Sequence, residues 1–444
     1  MRIFLALLFS STGLFGASLR AGVGRADITP SGPIWMSGYA ARTHPSEGVL
    51  QRLWAKALAI ESAPGQRIVI VTTDVVGVPG VVTDQVAARV LKQFGIKRSQ
   101  FFVNASHTHT GPVVWSNLNN LTVFPPEEQA KLVVYAQKFT EDVVSAIGAA
   151  IGDLSPAAVE YGTGSAEFAV NRRQATPTGM KIGVNPNGPG DHTVPILKIT
   201  DGHGKLRAVL FGYACHNTTL QAEVYQLSGD YAGFAAADLE KAHPGTTALF
   251  LMLCGADQNP NPRGTIELGE KYGAALAAEV DRVIAGSMTP LAGPIRSAYR
   301  IAELKLAPRS RSDLESELKA TVPAQVRRAQ MMLKLVDQGK AIDRVAYPVQ
   351  AVRFGRSLTL VALGGEVVID YSLRIHREYP GEPLVVAGYS NDVMCYIPSK
   401  RVLGEGGYEA VDSMIYYGQA GPFADDVEER IFAAVRRTMK DVGR

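Results

Sequence analysis

The feature that most constrains this chain is an event that occurs twice: an apolar run stops, and a histidine follows at once among hydroxyls. Phe101-Phe-Val103 runs into Ala105-Ser-His-Thr-His-Thr-Gly-Pro112, and Leu206–Tyr213 runs into Ala214-Cys-His216-Asn-Thr-Thr219. Short apolar runs that stop at turn residues read as buried strands. Polar side chains just past such a strand mark the rim of a scaffold, where binding and catalytic groups concentrate. Residues i and i+2 of an extended segment share a face, so His107 and His109 are expected to reach one point. Neutral imidazole serves as a metal ligand and as a general base near neutral pH; a hydrogen-bonded pair closing a strand is the plainer alternative.

The remaining chain alternates the two periodicities. Strands are expected at Trp54–Ile60, Ile68–Thr72, Ala157–Tyr161, Ala166–Val170, Val194–Thr200, Thr247–Leu253, Ile295–Leu306 and Pro383–Ala387. Ala346–Phe354 and Leu358–Ala362 read as a hairpin around Gly355-Arg356. Helical spacing covers Val81–Phe94, ended by Gly95, then Glu127–Ile151, Glu267–Ile284, Leu314–Gln338 with a break near Pro323, Val367–Tyr379 and Asp425–Val442. Thr176–Asp191, rich in Gly, Pro and Asn, reads as an ordered or lid-like loop. No repeat or low-complexity linker interrupts the chain. The pattern predicts an α/β fold: a layered mixed-sheet domain with flanking helices, its strand ends converging on a metal site.

Composition sets outer limits. With 46% hydrophobic and 20% charged residues over 444 positions, the chain has the balance of a globular protein with a sizeable core. A net charge of +3 spread over this length shows no nucleic-acid-binding patch. Met1-Arg2, the apolar run Ile3–Phe15 and the mostly small residues up to Ala21 read as a secretory signal peptide. Residues 22–444 are then a single exported domain, secreted or periplasmic, with no transmembrane segment. Cys215, Cys254 and Cys395 are too few and too odd in number for a disulfide scaffold. Buried inert thiols are the simpler reading, with room for one disulfide.

Other strand ends carry further candidates. Asp74 is either a cap of the next helix or a ligand. Arg172, after an apolar stretch, is either a clamp for an oxyanion or a solvated cation. Glu366 is either a helix-dipole partner or a metal ligand. Two histidines and a carboxylate, with water completing the shell, form a known catalytic zinc arrangement. Zinc so held lowers the pKa of bound water to about 7 and polarises a carbonyl.

Taken together and in order, Val23-Gly-Arg-Ala-Asp27, Ser106-His-Thr-His-Thr-Gly-Pro112, Asn171-Arg172, Ala214-Cys-His216-Asn-Thr-Thr219, Gly365-Glu366, Asn391 to Tyr396-Ile397 and Gly407-Tyr408-Glu409-Ala410 resemble the catalytic domain of the neutral (non-lysosomal) ceramidases. The resemblance implies a Zn2+ ion held by His107, His216, Glu366 and Tyr396. It also implies that His109, Arg172 and Tyr408 face a scissile amide, His109 moving protons and the other two binding the carbonyl oxygen. The implied activity is zinc-dependent amide hydrolysis of ceramide or a related N-acyl lipid, with transient contact to a membrane surface. A different amide or ester substrate, or a non-catalytic ligand-binding relative, are the alternatives. The resemblance departs at Asn259, where the family has a serine, which removes a covalent serine route, and this sequence does not include the family's C-terminal immunoglobulin-like domain.

Overall fold

A computed structural model describes residues 19–340 and 342–444. Its large sheet runs, in spatial order, through Thr247–Met252, Leu206–Tyr213, Thr193–Asp201, Ser155–Ser165, Arg20–Asp27, Trp54–Ala63, Gln66–Thr73 and Phe101–Ala105. The inner neighbours are antiparallel. The two outermost pairs are parallel, Thr247–Met252 on Leu206–Tyr213 and Phe101–Ala105 on Gln66–Thr73. Parallel neighbours need a crossover, which the helices Asp230–Ala242 and Gly80–Phe94 provide. A second sheet, Ile295–Lys305, Arg344–Phe354, Leu358–Leu363 and Leu384–Ala387, repeats the device: its last two strands are parallel, joined through the helix Asp370–Glu378.

The large sheet folds over until its edge strands meet at their carboxyl ends. Asn104 makes the join. Its Nδ2 donates to Met252 O at 3.1 Å and to Gly388 O at 2.9 Å, and its Oδ1 accepts from Met252 N at 2.8 Å. One buried side chain thus completes both the donor and the acceptor of an edge residue, as a neighbouring strand would. Isolated bridges from Leu253 to Ala387 and from Asn104 to Ser390 tie in the second sheet. The carboxyl ends of the parallel pairs therefore gather at one junction, the place where open α/β sheets carry their ligands.

Helices cover the outer faces. Pro126–Gly152 buries Leu132, Phe139, Val143 and Ile147 along one stripe; each fully buried side chain of this size contributes about 1.5–3 kcal/mol. Ile266–Ile284 packs with Asp230–Ala242 over the other flank, and Val427–Asp441 packs on the second sheet.

Several expectations change. The stretch after Thr176 is no loop: Gly179–Asn185 pairs with Ala169–Thr176 as a hairpin turned at Gly179, and the first of these strands starts three residues later than expected. The helix read over Leu314–Gln338 is two helices, Arg311–Glu317 and Pro323–Asp337, because Pro323 opens the second at a position where no amide donor is needed. Glu366 lies in the two-residue strand Glu366–Val367 and not in a helical turn, since the helix starts only at Asp370. Asp74 does not cap the next helix; its Oδ2 accepts from Trp54 N at 2.8 Å. The amide of Gly80, at the start of the next helix, is met instead by Asp392 Oδ1 at 2.8 Å. All three cysteines are buried and free. The expected leader, residues 1–21, lies outside the described residues except for its last three, of which Arg20 and Ala21 belong to a strand.

Candidate metal centre

A turn, not strand alternation, brings the two histidines of the first motif together. The strand stops at Ala105, and His107 adopts a left-handed φ of 64°, a conformation that costs a non-glycine residue about 1–3 kcal/mol. It is held there by its N–H, which donates to Val75 O at 3.0 Å, and by Nδ1, 2.6 Å from Val76 O. A carbonyl only accepts, so Nδ1 carries the proton and Nε2 presents a lone pair. His216 is fixed in the same way, with Nδ1 2.8 Å from Gly255 O. The two rings meet edge to face, 4.6 Å between centroids.

Glu366 arrives from the second sheet. Its strand pairs in parallel with Tyr396–Ile397, and Glu366 stands in register with Tyr396. Gly365, at φ 73°, makes the pairing possible: a Cβ there would lie 2.5 Å from Ile397 Cγ1. The Glu366 Oε1 atom accepts from Tyr417 OH. Among the described residues Oε2, which is buried, has no hydrogen-bond donor; it lies 3.1 Å from His107 Nε2 and 3.2 Å from His216 Nε2. Burial, with help from the Arg172 charge, pushes His216 down to about 3. A carboxylate oxygen and imidazole lone pairs thus face one another at contact distance inside the protein. Such a group is repulsive by itself and complementary to a cation, and nitrogen and oxygen donors of this kind suit zinc.

The other expected residues stand around this point. Tyr396 OH is 3.2 Å from His216 Nε2 and accepts from Arg172 Nη2 at 3.0 Å. His109 Nε2 is 3.1 Å from His107 Nε2, and nitrogens of His107, His109 and His216 all lie within 4.8 Å of one another. Among the described residues His109 Nδ1 has no partner. Gly38 supplies its space: a Cβ there would stand 2.4 Å from that nitrogen. The Arg172 guanidinium lies 5.6 Å from the ring centroids of both Tyr396 and Tyr408. All seven residues expected from the sequence thus meet in one place.

Others were not anticipated. Glu409 accepts from Arg172 Nε at 2.7 Å and from Arg173 Nη1 at 2.5 Å, and all three are buried. Burial works against the charge of Arg172, but Tyr396 and Glu409 more than offset it and raise its pKa further. Glu409 sits beside Tyr408 in the sequence, but a lone Glu in a loop gives no sign of two buried arginines. Tyr417 had no sequence signal at all. Asn259 Oδ1 accepts from Arg172 Nη1 at 3.3 Å.

Fold and site together define an α/β protein with a buried histidine–carboxylate centre able to hold a metal ion at the carboxyl ends of parallel strands. The chain belongs to the family described as neutral/alkaline non-lysosomal ceramidase, N-terminal, which matches residues 19–290. It is 28% identical over 260 residues to the neutral ceramidase of Pseudomonas aeruginosa, 54% of this chain and 37% of that protein. It is 27% identical over 272 residues to the neutral ceramidase of Mycobacterium tuberculosis, 56% of this chain and 41% of that one. The matched stretch therefore spans about two fifths of these relatives' length. The crystal structure of the Pseudomonas aeruginosa neutral ceramidase superposes with a TM-score of 0.73 at 20% identity, covering 94% of this chain and 73% of that one. Among the described residues, no helix is long and apolar enough to cross a membrane.

Proposed function

We propose that this protein is a zinc-dependent amidase that hydrolyses the N-acyl bond of ceramide or a related N-acyl lipid. Family membership supports the reaction class. The observation that carries the metal is Glu366 Oε2, a buried acceptor without a donor, set against the Nε2 atoms of His107 and His216. These three residues and Tyr396 would hold the ion. When bound, zinc supplies a Lewis acid and makes a water molecule acidic enough to attack near neutral pH.

The chain's own groups do the rest. Arg172, kept charged by Glu409 and placed between the rings of Tyr396 and Tyr408, donates to the substrate carbonyl oxygen as negative charge grows on it. Tyr408 OH adds a second donor. His109, whose Nε2 faces the centre 3.1 Å from His107 Nε2, takes a proton from the attacking water and delivers it to the leaving amine. Asn259 has no nucleophilic oxygen, so no covalent intermediate forms at that position. The reading includes export of residues 22–444 as a single domain and brief contact with a membrane surface to collect the lipid.

The test is direct. The purified protein should contain one zinc per chain and release fatty acid from a fluorescent N-acylsphingosine. His107→Ala and His216→Ala should each abolish both properties. Full metal content in either variant would refute the ligand set, and stoichiometric zinc without hydrolysis of any amide or ester would refute the enzyme.

A further inference from the structure

One wall of the site is built from residues with no part in that scheme. Arg263, half-buried ahead of the helix Ile266–Ile284, donates from Nη1 to Thr218 Oγ1 at 3.3 Å. Thr218 lies two residues past His216, and its hydroxyl reaches Asn259 Oδ1 at 3.5 Å. Asn259 Oδ1 also takes the Arg172 bond, so the carboxamide is turned with its oxygen inward. Among the described residues, neither the Asn259 NH2 nor the remaining Arg263 N–H groups meet a protein acceptor.

Charge makes this wall unusual. The site already holds the Arg172 guanidinium, answered by Glu409. Arg263 has no carboxylate partner among the described residues. Burial lowers its pKa, Tyr39 partly restores it, and Arg172 depresses it further. Asp230 acts on it only through space: its Oδ1 accepts from Tyr231 N at 2.6 Å and its Oδ2 from Leu220 N at 2.8 Å. A cation kept beside another cation, partly out of water and without a counter-ion, is in place to bind an anion.

We infer that Arg263, with the Asn259 NH2 beside it, binds an anionic group, a carboxylate or a phosphate, on the amine half of the substrate. The assignment to the amine half follows from the chemistry of N-acyl lipids. Beyond its carbonyl the acyl half is hydrocarbon and has nothing to offer a guanidinium, whereas polar substituents lie on the amine. The inference rests on the amidase reading and narrows it to the related N-acyl lipids: those whose amine half carries an anion are preferred over neutral ones such as ceramide.

The test uses three lauroyl amides that differ only in the amine: N-lauroylglycine, N-lauroyl-O-phosphoethanolamine and neutral N-lauroylethanolamine. The zinc-loaded protein should cleave one of the two anionic amides with kcat/KM at least tenfold above that of the neutral one, and which of them wins identifies the anion. In Arg263→Gln the anionic-to-neutral ratio should fall at least tenfold, mainly through KM, and Arg263→Lys should recover part of it. A neutral amide cleaved as well as both acids, or a ratio unchanged in Arg263→Gln, overturns the inference. Calorimetric binding of the three amides to metal-free protein separates the two readings. If nothing is hydrolysed but an anionic amide binds tenfold more weakly to Arg263→Gln, the amidase reading falls and the anion site stands. Equal binding removes the anion site.

Discussion

Replacing Asn104 by Ala tests the claim that one side chain closes the large sheet. The substitution removes the partners of Met252 N and Met252 O, both lying at the folded-over edge. Gly388 O keeps a bond from Ser390 Oγ at 2.8 Å and is not orphaned. Each buried backbone group left unsatisfied costs about 1–3 kcal/mol, so the loss centres on about 4 kcal/mol. Unfolding entropy scales as about 2.1 cal/mol/K per residue, which for 444 residues converts the loss to a Tm about 4 °C lower. Asn104→Asp keeps the acceptor for Met252 N but sets a carboxylate against Met252 O and Gly388 O, so it should fall further than Ala. Differential scanning calorimetry of the metal-free protein reads both. Because His107 is only three residues on, zinc affinity should weaken in step. A Tm drop under 1 °C for Ala, or an Asp variant milder than Ala, would refute the account of how the sheet closes.

Asp392 gives a pH signature. Burial pushes its carboxyl up to about 7, against the opposing bond from Gly80 N, with Asp84 raising and Arg98 lowering it. The folded state therefore holds a proton that the unfolded chain has lost, and stability falls as pH rises from about 4 towards 7. Asp392→Asn keeps the acceptor for Gly80 without the charge. Its Tm advantage over the parent should grow by about 3 °C between pH 5 and pH 8, from about 3 kcal/mol of linkage; a constant difference would show that Asp392 does not titrate in this range. Tyr408→Phe should lower kcat about 10²-fold with little change in KM, the usual cost of one oxyanion donor, and a pure KM effect would remove Tyr408 from the chemistry. Cys215, Cys254 and Cys395 should not react with a thiol reagent in the native protein, whereas all three should react after denaturation; fast native labelling of one would contradict their burial.

The large elements were legible because local pattern decides them. Pro126–Gly152 shows its stripe of Leu132, Phe139, Val143 and Ile147 to any helical reading, and the strands ahead of His107 and His216 are continuous apolar runs. What the sequence hides is how the sheet curls. No periodicity shows that Phe101–Ala105 and Thr247–Met252 meet through Asn104, so local pattern suggests the convergence of His107, His216 and Glu366 without fixing it. Tyr396 entered only through family resemblance. The hairpin strand Gly179–Asn185 escaped because Gly, Pro and Asn dominate its surroundings, although Met180, Ile182 and Val184 do alternate. Glu409 escaped for a different reason: its importance comes from Arg172 and Arg173, more than two hundred residues away in sequence and 2.7 Å and 2.5 Å away in space.

The parallel register of Glu366 with Tyr396 has a consequence for how the protein matures. His107 and His216 come from the region the family match covers, whereas the carboxylate and phenol come from beyond it. A chain emerging from the ribosome therefore carries its site histidines long before the carboxylate and phenol of the proposed ligand set exist. On the proposed ligand set, tight capture of the ion waits until the late segment docks, so metal uptake would report that the polypeptide has finished folding.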